Sequence, residues 1–327
     1  MEAIEGLVER LRAQGVGTSR EINPFWRRLL EPLGTTLETG ERITPDLLNK
    51  VLGYGAVPLA AGTSNRDLRD WPRLLRAAQT RDLAGLAKQT EHAGMLAYLN
   101  DKGVLDEYVD YVDRLRLVSN LNTGRLFWYR RRLLKVLRKT GRQRPQPFLE
   151  IGAGSGMFAA MMADAGVVSH YVMVDLPEML LNAMLFSARW LPDMPLRFGD
   201  TPDLTGEPAF WFLETDQIRQ VPDGAIAVAI NFNSFMEMDP EVRDFYIGEV
   251  YRTAEPGAVF YNVNRRQMRM TRRDGAAFDS NPLLYPYQSS DRIVEWEPDE
   301  CQQSCRSWVL RTPSSFTISR IAQVAGG

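Results

Sequence analysis

Three glycines alternate near the middle of the chain, within the run Phe148-Leu149-Glu150-Ile151-Gly152-Ala153-Gly154-Ser155-Gly156. An apolar predicted strand leads into them and a predicted helix follows. Glycine is needed where the chain bends sharply after a strand and its backbone must approach a ligand, because a β-carbon would obstruct the approach. The dinucleotide pattern G-x-G-x-x-G has its third glycine one residue later, where this chain has Met157. The spacing therefore indicates a nucleotide-type cofactor other than a dinucleotide.

A carboxylate follows the next apolar strand. The run 171–174 ends in Asp175, nineteen residues beyond Gly156. At the carboxyl end of a strand this side chain can accept hydrogen bonds from both hydroxyls of a ribose. The order of strand, glycine turn, helix, strand and terminal aspartate predicts an adenosine-binding site.

Polar side chains follow the fourth predicted strand, in the run 231–240. Ligands of open α/β sheets bind at the carboxyl edge of the strands, so this run is expected to lie beside the reacting group. Asn231 and Asn233 are candidates to orient a polar nucleophile. Glu237 is the nearby candidate base, or equally a residue that caps or braces the following helix.

The glycine pattern resembles the S-adenosylmethionine (SAM) binding motif of class I methyltransferases, and Asp175 matches that family's ribose-binding acid. The run 175–178 resembles natural-product O-methyltransferases and the sugar O-methyltransferase family, and the pattern Asn-x-x-Ser-Phe-x-Glu-Met from Asn231 resembles the latter; the resemblance covers roughly residues 145–325. It implies that SAM is the cofactor. It assigns the methionine and ribose portions of SAM to Glu150, Gly152, Ala153, Gly154, Gly156, Asp175 and Leu176, with Asn231 nearby.

Two acidic positions compete for the adenine end of the cofactor. Asp200 follows a weak apolar run, whereas Thr215 and Asp216 follow the stronger run 210–213. The stronger strand and the spacing to the next strand favour Thr215 and Asp216. Asp200 is then expected to lie in a solvated loop.

Many natural-product O-methyltransferases place a histidine base just after strand four, where this chain has Phe235 and Met236. The aromatic Phe232 and Phe235 are either core residues or cation–π contacts of the sulfonium. His92 and His170 are expected to be structural. Glu237 is therefore the remaining candidate base near this strand.

Two reactions of SAM stay open. Attack by an O or N atom of an acceptor on the methyl carbon gives a methylated small molecule, as expected of an enzyme of natural-product or sugar metabolism. Attack by the amine of SAM on its own γ-carbon gives azetidine-2-carboxylate and methylthioadenosine, and needs no acceptor hydroxyl. In both, the protein aligns the attacking atom and excludes water.

The elements that position these residues form an α/β pattern. From about residue 146, short apolar runs alternate with helical stretches, which is typical of a parallel sheet with crossover helices. We predict a Rossmann-like class I methyltransferase fold with a mostly parallel, doubly wound sheet. Residues 1–144 are expected to form a helical cap over the substrate, and residues 145–327 the SAM-binding catalytic domain. The predicted strands cover 147–151, 170–174, 210–213, 225–230 and 258–263, with a weaker C-terminal pair ending at 316–324.

The amino-acid composition limits the classes of molecule that this protein is expected to bind. The net charge of −2 offers no global basic field for nucleic acid or an anionic membrane. A basic run at 125–139 keeps an RNA methyltransferase as a minor alternative, and a non-catalytic binding protein of the same fold is another. Two cysteines, Cys301 and Cys305, and two histidines support neither a disulfide framework nor a metal site. We expect a cytoplasmic enzyme with a small-molecule substrate, and its oligomeric state stays open.

Overall fold

The computed structural model describes residues 6–9, 65–77, 83–266, 268–272, 275–304 and 317–325. These residues belong to two compact units. The helical unit includes residues 65–134 and 298–317 within the described ranges, and the sheet unit includes 135–297 and 318–325. The chain therefore enters the helical unit a second time near its C-terminus. Cys305 and Phe316 lie outside the described residues.

Among its described residues, the helical unit has a 3₁₀ turn at Asn65–Asp70, three α-helices, most of a fourth, and further helical residues at 300–304. The helices are α1 (Trp71–Ala77), α2 (Leu83–Asp101), α3 (Leu105–Arg114) and α4 (Leu121–Lys139). On α2, His92 is 2% exposed and lies 2.9 Å from the Ser119 hydroxyl, which also contacts Tyr108. Burial lowers the pKa of His92 to about 4, because the charged imidazole loses its hydration. His92 therefore packs as a neutral ring inside this unit.

The basic run lies on α4. Its Arg131 pairs with Glu107 of α3, and its Arg130 lies over the ring of Tyr111 at 4.8 Å from the ring centre. These two arginines thus contact the neighbouring helix.

The sheet unit is built on a central sheet of eight strands. Its helices are α5 (Met157–Asp164), α6 (Pro177–Trp190) and α7 (Pro240–Thr253). Its strands are β1 (Gln146–Ile151), β2 (Val168–Asp175), β3 (Leu196–Phe198), β4 (Ala209–Glu214), β5 (Ile226–Phe232), β6 (Ala254–Arg265), β7 (Met268–Thr271), β8 (Ala277–Ser280), β9 (Arg292–Pro298) and β10 (Thr317–Gln323). Strands β7 and β8 form a separate antiparallel hairpin. Three further 3₁₀ turns occur at Thr215–Gln220, Phe235–Glu237 and Pro282–Leu284.

The strand order in the sheet is β3-β4-β2-β1-β5-β6-β10-β9, and the neighbours from β3 to β6 are parallel. The chain winds from β1 toward β4 in one direction and from β5 toward β6 in the other. This confirms the predicted mostly parallel, doubly wound α/β sheet. The direction changes between β1 and β5, and ligands of such sheets bind in the crevice outside the carboxyl ends of those strands.

The central strands are buried on both faces, as expected of a parallel sheet covered by helices. On one face Leu149, Val172 and Leu213 join a hydrophobic cluster with residues of α7. On the other face the rings of Phe148 and Tyr171 stack at 5.5 Å between centres. The carboxyl ends of β1, β2 and β5 are thereby held in fixed positions.

Candidate functional site

The glycine turn follows β1 directly. Gly152, Gly154 and Gly156 have φ angles of 74°, 59° and 70°, in the left-handed region that favours glycine. The Gly152 N–H donates to the carbonyl of Val174 at 2.8 Å, which joins the ends of β1 and β2. A β-carbon on Gly152 would lie 2.1 Å from the Ser234 hydroxyl oxygen. Gly152 is therefore required both by its conformation and by the close approach of the run that follows β5.

Asp175 lies at the carboxyl end of β2 and faces the glycine turn. One carboxylate oxygen accepts the Gly154 N–H at 2.8 Å, and the other accepts the Leu176 N–H at 2.8 Å. Burial raises the pKa of Asp175 to about 6, and the two N–H groups oppose that rise. Each oxygen keeps a lone pair that can accept from a further donor, such as a hydroxyl.

Glu150 lies beneath the turn and is 3% exposed. The Tyr171 hydroxyl donates to its carboxylate at 2.7 Å. Burial raises the pKa of Glu150 to about 8, because the charged form loses hydration that one hydroxyl only partly replaces. Glu150 thus underlies the turn, with Tyr171 as a partner that the sequence analysis did not name.

The side chain of Asn231 is 0% exposed and takes part in a buried network of hydrogen bonds. Its side-chain N–H group donates to the Ile151 carbonyl at 2.8 Å and to Ser234. Its carbonyl oxygen accepts from Phe235 N at 3.3 Å and from Asn264 at 2.8 Å. The amide of Asn231 is therefore saturated by the protein and braces the ends of β1, β5 and β6.

Asn233 and Glu237 lie in the short segment that follows β5. Asn233 has a left-handed φ of 60°, which asparagine tolerates better than most residues, and its N–H donates to the Val263 carbonyl at 2.8 Å. The Glu237 N–H donates to the Ser234 carbonyl at 2.9 Å. Both residues are partly exposed, unlike Asn231, although the side-chain nitrogen of Asn233 is buried.

The two phenylalanines of this run have different environments. Phe232 is partly exposed and meets Phe158 and Tyr261 edge to face, each at 4.9 Å between ring centres. Phe235 is 0% exposed and belongs to the hydrophobic cluster, where it faces Tyr285. Only Phe232 of the pair lies where a ligand at the carboxyl edge can reach it.

Thr215 and Asp216 begin a turn directly after β4, whose last residue is in register with Asp175 on β2. The Tyr246 hydroxyl donates to the Thr215 carbonyl at 3.2 Å. Asp200 instead follows β3, which lies beyond β4 at the edge of the sheet. The sheet thus brings Thr215 and Asp216, rather than Asp200, next to the strand that carries Asp175.

The sequence analysis missed the amides of β6. Asn262 and Asn264 are 1% and 0% exposed, and they alternate within the buried stretch 258–264 of β6, which is otherwise apolar. Polar residues at alternate positions of a buried strand must find partners, and that pattern was the available signal. A group of three or more His, Cys, Asp or Glu residues arranged to hold a metal is not found among the described residues. Within them, too, no helix has the length and apolar character that crossing a membrane requires.

No protein-family model matches the sequence. No curated protein matches it either. Several solved structures share part of the fold. A provisionally assigned sarcosine dimethylglycine methyltransferase from Galdieria sulphuraria is 11% identical, with a TM-score of 0.44 over 63% of this chain and 88% of that one.

Two further structures carry bound S-adenosylhomocysteine. The 1,6-didemethyltoxoflavin N1-methyltransferase of Burkholderia thailandensis is 14% identical, with a TM-score of 0.41 over 67% of this chain and 87% of that one. The geranyl diphosphate C-methyltransferase of Streptomyces coelicolor A3(2) is 11% identical, with a TM-score of 0.41 over 59% of this chain and 77% of that one. Likeness at this level does not bear on the activity of this chain.

Proposed function

We propose that this protein is a SAM-dependent enzyme that transfers the methyl group to an O or N atom of a small molecule. The observation that carries the proposal is the placement of Asp175. Its two oxygens are held by Gly154 N and Leu176 N, both at 2.8 Å, beside the crevice where the sheet changes direction. A carboxylate fixed at that point suits a ribose diol.

The residues around this crevice fit the parts of SAM. The glycine turn, with Ala153, leaves room for close approach of the backbone, Asp175 and Leu176 take the ribose, and Thr215 with Asp216 takes the adenine side. Phe232 offers a partly exposed ring for the cationic end. SAM supplies a carbon made electrophilic by its sulfonium, so the protein has to align the attacking atom and exclude water.

The acceptor is assigned to the segment after β5. In this proposal Asn233 orients the attacking group and Glu237 accepts its proton, while Asn231 holds the segment in place through its saturated amide. In this proposal the sheet unit binds SAM. No metal takes part in this assignment.

SAM cyclisation is the second candidate, and one observation favours it. The positions just after β5, where a strong base would stand, hold Phe235 and Met236, which are 0% and 2% exposed. Attack of the neutral amine of SAM on its own γ-carbon forms a C–N bond and breaks the bond to sulfur. The products are azetidine-2-carboxylate and methylthioadenosine, and the amine needs only to lose a proton before it attacks.

The first experiment incubates the purified protein with SAM alone and analyses the mixture by liquid chromatography and mass spectrometry, alongside calorimetric titration with SAM. The proposed methyltransferase binds SAM and leaves it intact until an acceptor is supplied. Methylthioadenosine released together with azetidine-2-carboxylate would establish the cyclase instead. Absence of SAM binding would overturn both and favour a non-catalytic protein.

A further inference from the structure

Asn262 and Asn264 lie two residues apart on the same face of β6 and have almost no exposed surface. Burying an amide without hydrogen bonds lowers the free energy of unfolding by more than a typical hydrogen bond raises it. The hydrogen-bond partners of these two side chains therefore indicate their role. All of those partners lie in the sheet unit.

Asn264 binds both ends of the segment after β5. Its side-chain N–H donates to Asn231 at 2.8 Å, and its carbonyl oxygen accepts Met236 N at 3.0 Å. A backbone N–H can only donate, so the Met236 N–H fixes the orientation of the Asn264 amide, with the amide oxygen toward Met236 and the amide nitrogen toward Asn231. The Arg265 N–H adds a contact to the sulfur of Met236 at 3.4 Å. One side chain thus clamps residues 231 and 236 together.

Asn262 and Tyr287 fix the amide of Asn264 from the other side. The second N–H of Asn264 donates to the Asn262 carbonyl oxygen, and the Asn262 N–H group donates to the Tyr287 hydroxyl. The ring of Tyr287 lies against the Arg320 guanidinium, 3.9 Å from its centre. Arg320 pairs with Asp291, and these side chains are 2% and 1% exposed. A continuous chain of hydrogen bonds therefore joins the segment to Tyr287, in which Met236 N donates to Asn264, Asn264 to Asn262, and Asn262 to the Tyr287 hydroxyl.

The clamped segment touches the glycine turn. Ser234 lies so close to Gly152 that a β-carbon there would be 2.1 Å from its hydroxyl, and both Asn231 and Ser234 donate to the Ile151 carbonyl. A change in the Asn264 amide would move Ser234 and, with it, Gly152 at the start of the turn. The Asp175 carboxylate accepts from Gly154 N and Leu176 N rather than from Gly152, so the effect on the ribose side should be smaller than the effect beside Ser234.

We propose that Asn264, oriented by Asn262 and Tyr287, is a positioning residue that sets the segment 231–237 against the methionine end of bound SAM. This inference rests on the proposed function. It predicts that disturbing the chain of amides weakens contacts with the methionine portion more than contacts with the adenosine portion.

The test compares Tyr287→Phe with Tyr251→Phe. The first substitution removes the hydroxyl that orients Asn262 and keeps the ring over Arg320. The control removes a hydroxyl that donates to Asp291 at 2.6 Å and accepts Gln288 N at 3.0 Å, so it disturbs the surroundings of Tyr287 without removing a hydrogen bond of the amide chain. Affinities for SAM and for methylthioadenosine, which lacks the amino-acid portion, are measured by calorimetry, and thermal midpoints are recorded for each protein.

We expect Tyr287→Phe to weaken SAM binding about fivefold, the effect of about one hydrogen bond, with methylthioadenosine affinity unchanged within about twofold. Asn264→Asp keeps the acceptor for Met236 N and loses both donated hydrogen bonds, so its loss should be larger, about tenfold or more. Tyr251→Phe should lower the thermal midpoint without changing the ratio of the two affinities.

A purely structural role would lower the thermal midpoint of Tyr287→Phe and leave its affinity ratio at the wild-type value, and that result would overturn the inference. Equal losses of SAM and methylthioadenosine affinity would overturn it as well. If Asn264→Asp does not fold, Tyr287→Phe decides alone. Failure of the wild-type protein to bind SAM would remove the proposed function and the inference together, and is recognised before any variant is made.

Discussion

Asp175 and Asp200 are both aspartates that follow a strand, but only Asp175 is held by backbone N–H groups at the glycine turn. Asp175→Ala removes the proposed acceptor of two ribose hydroxyls. We expect about a 100-fold loss of SAM affinity, or about 2.7 kcal/mol, which corresponds to two hydrogen bonds to a charged group. Calorimetry measures it, and Asp200→Ala is the control that should bind like the wild type. Equal behaviour of the two variants would move the ribose site away from Asp175.

Gly152 and Gly166 both have a left-handed φ, of 74° and 71°, but only Gly152 lies against another residue. Gly166→Ala should cost about 1 kcal/mol of unfolding free energy, the cost of that conformation for a residue with a β-carbon. Gly152→Ala adds the clash with Ser234, so we expect about 3 kcal/mol in total. Urea denaturation of the two variants separates the free-energy cost of the left-handed conformation from the cost of the contact with Ser234. Equal losses would mean that Ser234 moves aside freely.

Phe232 at the carboxyl end of β5 is partly exposed, whereas Phe235 in the turn after it is buried in the hydrophobic cluster. Phe232→Leu should weaken SAM binding by about three- to tenfold and leave S-adenosylhomocysteine binding nearly unchanged, because only SAM carries the positive sulfonium. Phe235→Leu should lower the free energy of unfolding without altering the ratio of the two affinities. Calorimetry with both ligands tests the pair. A loss of both affinities in Phe232→Leu would assign its ring to packing alone.

The elements differ in how far the sequence could predict them. Strands β1, β2, β4, β5 and β6 were predicted because buried parallel strands are continuous apolar runs between turn residues. Strand β3 has only three residues, and β7 and β8 have four residues each, so none of them gives a long apolar run. The glycine turn and Asp175 could be predicted because their spacing along the chain is local.

The partners of the site residues could not be predicted in the same way. Asn231 and Asn264 are 33 residues apart, and Glu150 and Tyr171 are 21 apart. Their pairing depends on which strands become neighbours and in what register, which short patterns do not specify. The sequence therefore suggested Asn231 as a group facing the ligand, whereas its surroundings saturate its amide.

Two carboxyl groups of the sheet unit, those of Glu150 and Asp175, should each make the stability of the molecule depend on pH. Burial raises the pKa of Glu150 from 4.5 to about 8 and that of Asp175 from 3.8 to about 6. Between the unfolded and folded pKa values, the folded protein binds more protons than the unfolded chain. The contribution of these two groups to the free energy of unfolding therefore falls as the pH rises through this range, whereas the lowered pKa of His92 acts in the opposite sense between about pH 4 and pH 6.5. Well below pH 3.8 both carboxyl groups are protonated in the folded and the unfolded state, and their contribution to stability no longer changes with pH.

Glu150→Gln tests this dependence, because glutamine can still accept the Tyr171 hydroxyl and does not titrate. We expect the wild type to lose a few kcal/mol of unfolding free energy between pH 5 and about pH 9, and the variant to lose distinctly less. Urea denaturation across that range measures both proteins, and Glu207→Gln, at an exposed position, is the control that should follow the wild type. Saturating SAM should stabilise the wild type more strongly at the alkaline end, since a bound cation favours ionised carboxylates nearby. Parallel pH profiles for the wild type and Glu150→Gln would mean that Glu150 ionises normally in the folded protein.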